Sequence, residues 1–177
     1  MIGDLLDTAR GEAGKLSIEI SRVRVDDVVA EAVRTAGSRA AERGVELALE
    51  AAVPVPEVLS DAGRVRQVVT NLLDNALKFT PSGGRVTVRV TAGSDDGFVR
   101  VSVEDTGKGI SAEAQKHLFQ RLYQADDDDA TSRRGLGLGL YISREIVNSQ
   151  GGRIWAESEV GRGSTFHFTL PLASEGG

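Results

Sequence analysis

Two asparagines and a lysine recur at helical spacing near the middle of the chain. Asn71, Asn75 and Lys78 stand at positions i, i+4 and i+7, which places them within about 60° of one another on a helix. Asparagine does not favour helix formation, so helix stability does not explain its repetition here. Its side-chain carbonyl oxygen, however, is a hard ligand suited to Mg²⁺ that bridges phosphates. The pattern indicates a metal and phosphate edge; two solvated amides beside a surface lysine are the alternative.

A carboxylate followed by two glycines stands later in the chain. Asp105-Thr106-Gly107-Lys108-Gly109-Ile110 comes directly after alternating apolar residues that predict a strand. A carboxylate at a strand end accepts a hydrogen bond from an exocyclic amine, and glycines let a flat ring approach the backbone. The segment indicates such a ring site, and a plain Asp-Gly turn whose side chain caps the loop is the alternative.

A glycine-rich segment opens the last predicted helix. Gly135-Leu136-Gly137-Leu138-Gly139-Leu140 stands where free N–H groups and the positive end of the helix dipole favour phosphate. The spacing does not match the dinucleotide fingerprint, and no lysine follows as in a phosphate-binding loop. Alone, the segment is either a phosphate cradle or a flexible hinge.

Apolar periodicity predicts the scaffold that positions these groups. The longest helix covers Asp61–Phe79, and a stripe of core residues runs along it at 3.6-residue spacing: Val65, Val68, Val69, Leu72, Leu73, Ala76 and Leu77. A second helix runs from an N-cap at Asp26 to about Arg43 and ends at Gly44. Further helices are predicted at Ala112–Leu118 and Leu138–Ser149.

The strands alternate polar and apolar residues rather than running continuously apolar. They are predicted at Ser17–Val25, Val45–Ala51, Arg85–Thr91, Phe98–Glu104, Arg153–Glu157 and Ser164–Leu170, with Pro54 and Pro56 in a loop. The alternation predicts an α+β fold: a two-layer α/β sandwich whose mixed, mostly antiparallel sheet is covered on one face by three helices. Residues 1–16 predict the C-terminal end of a bundle helix, and 17–177 a single domain.

Composition excludes several classes of function. The net charge is −5 over 177 residues, and the basic residues are scattered, so nucleic acid is not expected as a partner. The absence of cysteine excludes disulfides and thiolate metal sites and agrees with a cytoplasmic location. No apolar run approaches the roughly 20 residues that cross a bilayer, so no membrane contact is expected from this fragment.

Together, the motifs resemble the N, G1, G2 and terminal glycine boxes of sensor histidine kinases. The order and spacing match for Asn71 through Phe79, Asp105 through Ile110, Gly135 through Gly139, and Gly161 through Phe166. Phe119 through Tyr123 resembles that family's phenylalanine box. Residues 1–16 resemble the C-terminal end of that family's second dimerisation helix, which is part of the dimerisation and phosphoacceptor domain.

The resemblance implies a Bergerat-type site for ATP and Mg²⁺. Within it, Asn75 ligates the metal, Asn71 supports the phosphate end, Lys78 pairs with phosphate oxygens, and Asp105 binds adenine. Gly107 and Gly109 shape the pocket, the glycine-rich segment closes over the phosphates, and Thr165 sits near adenine through a water. Phe79, Ile110, Tyr123, Leu136, Leu138 and Leu140 complete the ATP-binding set. Arg134 reaches the γ-phosphate or, alternatively, neutralises the acidic run at 126–129.

The resemblance also implies a reaction and partners. Related ATPases of the gyrase and chaperone type activate water with a glutamate where this chain has Asn71, and an amide cannot act as a general base. Transfer of the γ-phosphoryl to a histidine is therefore expected. The acceptor lies on a dimerisation domain of a homodimeric parent, and a response regulator receiver domain takes the phosphoryl onward. His117 and His167 lie outside any acceptor motif. The alternatives are a nucleotide-sensing module without catalysis and an anti-sigma-type serine kinase.

Overall fold

The computed structural model describes residues 17–51, 55–92, 97–120 and 139–173. The helices are α1 (Val25–Glu42), α2 (Ala62–Phe79), the short α3 (Ala112–Gln115) and α4 (Gly139–Ser149). The strands are β1 (Ser21–Val23), β2 (Glu46–Ala51), β3 (Val58–Ser60), β4 (Arg85–Ala92), β5 (Phe98–Asp105), β6 (Ile154–Glu159) and β7 (Gly163–Pro171). The predicted helix within 1–16 lies outside the described residues and stays a prediction.

The main sheet has five strands in the order β2-β4-β5-β7-β6. β2 runs parallel to β4, and the remaining neighbours are antiparallel. β1 and β3 form a separate antiparallel pair. The predicted mixed, mostly antiparallel sheet is confirmed.

Three helices cover one face of this sheet, as predicted. α1 packs on β2 and β4, α2 on β5, and α4 on β6 and β7, while α2 also contacts both other helices. The strands direct alternate residues toward the helices. These inward residues are almost fully buried: Val86, Val88, Val90, Val99, Val101, Val103, Phe166, Phe168 and Leu170.

The sequence predicted α2 closely. The Asp61 carboxylate accepts a hydrogen bond from the N–H of Arg64 at 3.2 Å and caps the helix. All seven residues of the predicted stripe are buried. The helix ends at Phe79, and Thr80 after it has extended backbone.

Three other predictions are corrected by the structure. Asp26 does not cap α1, because the helix begins at Val25 after Arg24 and Asp26 lies in its first turn. The first strand covers only Ser21–Val23, since its partner β3 is equally short. β3 lies in a region that was predicted as loop from its prolines. Pairing with β1 holds these residues in an extended conformation although their local strand signal is weak.

The N-terminal segment is fastened to the start of α2. The Asp61 carboxylate accepts from the N–H of Glu19 at 2.9 Å, and Arg64 Nε donates to the carbonyl of Ser17 at 3.2 Å. The N–H of Asp61 donates to the side-chain oxygen of Gln150 at 3.0 Å, just beyond α4. Residues 17–19 are thereby tied to one end of both helices.

The outer face of the sheet is free of helices in the described part of the chain and carries a polar and aromatic cluster. His167 faces away from Phe166 and Phe168, as predicted, and stacks on Trp155 with ring centres 5.1 Å apart. Its Nδ1 lies 2.7 Å from the hydroxyl of Ser102, and its Nε2 lies 3.1 Å from Glu157. The imidazole is thus held at both nitrogens.

Among the described helices, none combines the length and apolar character required to cross a bilayer.

The Asp61 contacts generate a stability prediction. Asp61→Ala removes the cap and the bond from Glu19, so the free energy of unfolding should fall by about 1 to 2 kcal/mol in urea denaturation. Asp61→Asn keeps an oxygen that accepts from Arg64, so its loss should be smaller. Equal losses in the two variants would contradict the assignment of the cap.

Candidate functional site

The predicted amide edge of α2 lies at the border between core and solvent. Asn71, Asn75 and Lys78 are each half-buried, whereas Leu72 and Ala76 on the adjacent stripe are buried. The helix places them there because positions i, i+4 and i+7 follow one side of the stripe. The sequence therefore located this edge correctly.

Asn71 joins this edge to the first turn of α4. Its side-chain nitrogen donates to the carbonyl oxygen of Gly139 at 3.2 Å and to the hydroxyl of Ser143 at 3.2 Å. A backbone carbonyl only accepts hydrogen bonds, so the amide nitrogen must face α4 and the amide oxygen must face away from it. The last glycine of the glycine-rich segment thus lies against the amide edge.

The Asp105 carboxylate is buried at the C-terminal end of β5. It is 6% exposed, and its Oδ1 accepts from the N–H of Gly107 at 2.9 Å. Burial raises the pKa of Asp105 above its usual range, while hydrogen bonds from the N–H groups of Gly107 and Ser164 lower it and Glu104 nearby raises it. A carboxylate accepts up to about four hydrogen bonds, so capacity remains for a donor on a ligand.

Gly107 and Gly109 let the loop after Asp105 touch two other stretches of backbone. A Cβ on Gly107 would lie 2.5 Å from the carbonyl oxygen of Phe79 at the end of α2. A Cβ on Gly109 would lie 2.2 Å from the carbonyl oxygen of Glu159, and the φ of Gly109 is 78°, in the left-handed region that favours glycine. The loop is therefore held between α2 and the end of β6.

The ring of Phe79 lies next to two ammonium groups. Lys78 Nζ is 5.2 Å and Lys108 Nζ 5.0 Å from the ring centre. Each is within cation–π range. Sequence reasoning did not select Lys108 as a site residue, because its meeting with Phe79 is a tertiary contact that spacing along the chain does not reveal.

Ile110 ends the loop and is anchored to β6. Its N–H donates to the hydroxyl of Ser158 at 2.7 Å, and its carbonyl accepts from the side chain of Gln115 at 2.8 Å. Leu140 and Ile110 are both partly buried against the core. Ile110 and Leu140, both predicted ATP-binding residues, thus pack against the core next to the candidate site.

The strand register places Thr165 and Ser164 on opposite faces of the sheet, and the role of Thr165 near adenine stays a prediction. Thr165 pairs with Glu104, and Ser164 pairs with Asp105. Alternate residues of a strand face opposite sides, so Thr165 lies on the outer face. Ser164 shares the face of Asp105, donates its N–H to that carboxylate and has its hydroxyl 2.8 Å from that of Ser158. Since alternate residues of a strand share a face, counting back two residues from core Phe166 would have identified Ser164 as the residue on the face of Asp105.

A cavity of about 370 Å³ lies at the ends of β5, β6 and β7. Its lining includes Thr165, Arg162 and four carboxylate residues, Glu104, Asp105, Glu157 and Glu159. The side chains of Glu104, Glu157 and Thr165 belong to the outer face. Asn71, Asn75 and Lys78 do not line this cavity, which reaches the candidate site only at Asp105 and Ser164.

The structure brings three sequence motifs together around one helix. The loop after Asp105 contacts Phe79 at the end of α2, and Gly139 contacts Asn71 on its edge. Six predicted residues lie outside the described part of the chain and stay predictions: Tyr123, Arg134, Gly135, Leu136, Gly137 and Leu138.

Residues 60–174 match the family described as "Histidine kinase-, DNA gyrase B-, and HSP90-like ATPase". The chain belongs to this family. The match covers the amide edge, the Asp105 loop and α4 together, so the predicted resemblance is confirmed.

Curated relatives of this ATPase domain include a sensory kinase and a sensor protein. The chain is 36% identical over 172 residues to "Adaptive-response sensory kinase SasA" of Synechococcus sp. (strain JA-3-3Ab), covering 97% of the chain and 45% of that protein. It is 39% identical over 176 residues to "Sensor protein DivL" of Caulobacter vibrioides, covering 99% of the chain and 22% of that protein. The chain thus spans less than half the length of these relatives.

Solved structures of histidine kinases have the same fold. The full-length ShkA structure in complex with AMPPNP is similar with a TM-score of 0.86 and 34% identity, over 98% of this chain and 35% of that one. The catalytic domain of histidine kinase ThkA is similar with a TM-score of 0.76 and 26% identity, over 87% of this chain and 96% of that one.

Two glycines of this candidate site should respond differently to a methyl group. Gly107→Ala forces a Cβ against the Phe79 carbonyl and should lower the free energy of unfolding by about 1 to 3 kcal/mol. The Cβ added by Gly139→Ala would meet only Asn71 side-chain atoms at 3.8 and 3.9 Å, which is ordinary van der Waals contact. This variant should change the free energy of unfolding by less than about 0.5 kcal/mol. Urea denaturation of both variants tests this, and a reversed order would refute the described loop packing.

The raised pKa of Asp105 predicts a pH dependence of stability. An aspartate in the unfolded chain ionises at about pH 4. Because the pKa of Asp105 is raised in the folded state, its carboxyl group there stays protonated to higher pH than in the unfolded state. The free energy of unfolding contributed by Asp105 therefore decreases as pH rises through its folded pKa. Asp105→Asn does not titrate, so its stability relative to wild type should increase from pH 4 to 8. Parallel curves for the two proteins would contradict this.

Proposed function

We propose that this chain binds Mg-ATP and transfers its γ-phosphoryl to a histidine on a dimerisation domain, as the catalytic domain of a two-component sensor kinase. The observation that carries the proposal is the meeting of the amide edge, the buried Asp105 carboxylate and the start of α4 around one helix. The similarity to ShkA in complex with AMPPNP supports nucleotide binding at such a site.

The adenine end is formed by Asp105 and its loop. The carboxylate is already fixed by N–H groups of Gly107 and Ser164, so it is oriented before an exocyclic amine binds. Gly107 and Gly109 let this loop pack directly against the backbone at Phe79 and Glu159, which fixes the loop beside the carboxylate. Ser164, which pairs with Asp105 in the sheet, would lie on the adenine side of the strand.

The donor set on α2 fits Mg²⁺ bound mainly through phosphates. In the described ranges no group of three His, Cys, Asp or Glu side chains is arranged to hold a metal. Mg²⁺ commonly keeps several waters and takes few protein ligands alongside substrate phosphates. Asn75 would supply a carbonyl oxygen, and Lys78 would neutralise phosphate oxygens. The ion would supply charge neutralisation during transfer.

The chain lacks the arrangement needed to activate water at Asn71. Both hydrogens of its amide are directed to Gly139 and Ser143, and an amide oxygen does not take a proton near neutral pH. Transfer to a positioned nucleophile is therefore favoured over hydrolysis. A neutral imidazole nitrogen donates its lone pair to the γ-phosphorus, the bond to the β–γ bridging oxygen breaks, ADP leaves with that electron pair, and the phosphoimidazolium then releases its N–H proton to water.

The acceptor is expected on another domain of the parent homodimer. His167 is buried and held at both nitrogens by Ser102 and Glu157, which leaves no lone pair facing the α2 side of the sheet. His117 lies beside Glu113 near α3. The relative SasA is named a sensory kinase. As part of such a kinase, the chain would serve relay of the phosphoryl group to a response regulator receiver domain in the cytoplasm.

Nucleotide affinity of matched variants tests the binding half of the proposal. Asp105→Asn removes an ionised acceptor and should weaken ATP and ADP alike by about 10- to 100-fold. Asn75→Asp should mainly reduce the magnesium-dependent part of ATP affinity. The control is Asp74→Asn, on the exposed side of α2 where it pairs with Arg39. Calorimetry that finds equal affinities in all four proteins would refute the site.

Phosphoryl transfer tests the other half. Mixed with ATP and a separate dimerisation domain that carries a histidine, the chain should place an acid-labile phosphoryl group on that domain. Binding without transfer would favour a nucleotide-sensing module, and an acid-stable product would favour a serine kinase. Acid-labile label on this chain alone would contradict the assignment of the acceptor to another domain.

A further inference from the structure

Ser143 is a polar side chain in an apolar part of α4. It is fully buried, at 0% exposure, next to buried Ile142 and on the same helix as buried Ile146 and Val147. A buried hydroxyl is unfavourable unless it makes a hydrogen bond. Its hydroxyl oxygen accepts from the side-chain nitrogen of Asn71 at 3.2 Å, which reaches across from α2.

The two acceptors on α4 together fix the orientation of the Asn71 amide. An amide nitrogen carries two hydrogens, and here they have two separate acceptors, the Gly139 carbonyl and the Ser143 hydroxyl. With the Gly139 bond alone, the amide plane could turn about that single contact. The Ser143 bond removes this freedom, so the amide oxygen of Asn71 keeps one direction, away from α4.

We propose that Ser143 is a positioning residue for phosphoryl transfer, acting through Asn71. This inference rests on the proposed function, because it assigns a purpose to the orientation of a side chain on the phosphate-binding edge. Ser143 holds the Asn71 oxygen toward the γ-phosphate end of the nucleotide. It also ties the first turn of α4, which follows the glycine-rich segment, to the same edge.

The effect of losing this contact should depend on the γ-phosphate. Ser143→Ala leaves the Gly139 bond and removes one hydrogen bond, so the kcat for transfer should fall by about 2- to 10-fold. The affinity for ADP, which lacks the γ-phosphate, should not change. A purely structural defect in α4 would instead weaken ADP and ATP together.

A double-mutant cycle separates positioning through Asn71 from a general effect on the helix. Transfer to a separate histidine-bearing domain is measured for wild type, Ser143→Ala, Asn71→Ala and the double variant, with folding checked by circular dichroism. In the Asn71→Ala background, Ser143→Ala should cause no further loss of kcat. Ser149→Ala is the matched control, because its hydroxyl bonds only to the Glu145 carbonyl on the exposed side of α4 among the described contacts.

A second substitution covers the case in which Ser143→Ala fails to fold. Ser143→Cys keeps a side chain of similar shape with a weaker acceptor, so its kcat should lie between those of wild type and Ser143→Ala.

The outcomes distinguish the inference from the proposed function. No transfer by wild type refutes the function itself. An active wild type with Ser143→Ala equal to it, or with losses that add fully to those of Asn71→Ala, overturns the positioning inference. Loss of ADP affinity in Ser143→Ala overturns it as well.

Discussion

The packing of the buried stripe of α2 against the sheet and the neighbouring helices fixes everything else in the site. Seven apolar residues of this helix are buried, and the six valines and leucines among them each contribute about 1.5 to 3 kcal/mol to stability when removed from water. Their sum is comparable to the whole net stability of a domain. Turning the helix by one position would expose part of this stripe, so Asn71, Asn75 and Lys78 cannot change the direction in which they face while the domain stays folded.

Backbone contacts then assemble the remaining parts around this helix. The loop after Asp105 touches the main chain at Phe79 and Glu159 through glycine positions, where a side chain would intervene. The first turn of α4 meets Asn71 through a carbonyl and a buried hydroxyl. Contacts between main-chain atoms allow little relative movement of the segments that make them, since peptide groups are rigid and the interior is close-packed. Groups far apart in sequence therefore hold fixed relative positions before any nucleotide binds.

Much of this arrangement could be predicted from the sequence because it rests on local periodicity. The stripe, the cap at Asp61 and the alternation in β4, β5 and β7 are each set by residues close together in the chain, and the family resemblance followed from motif order. The features that were missed depend on tertiary pairing. β3 exists because β1 lies beside it, and the contact of Lys108 with Phe79 requires the folded loop. Ser164 was not selected, although strand alternation from core Phe166 would place it on the face of Asp105.

The outer-face cluster has a practical consequence for spectroscopy. Trp155 is the only tryptophan in the chain, and it stacks on His167 with the guanidinium groups of Arg100 and Arg153 at 5.0 and 5.4 Å from its ring. Arg100 lies on β5, His167 on β7 and Arg153 directly before β6, across the sheet from the helices. Intrinsic emission therefore monitors the integrity of the sheet from the side opposite α2, and a bound nucleotide on the helix side would not touch the fluorophore.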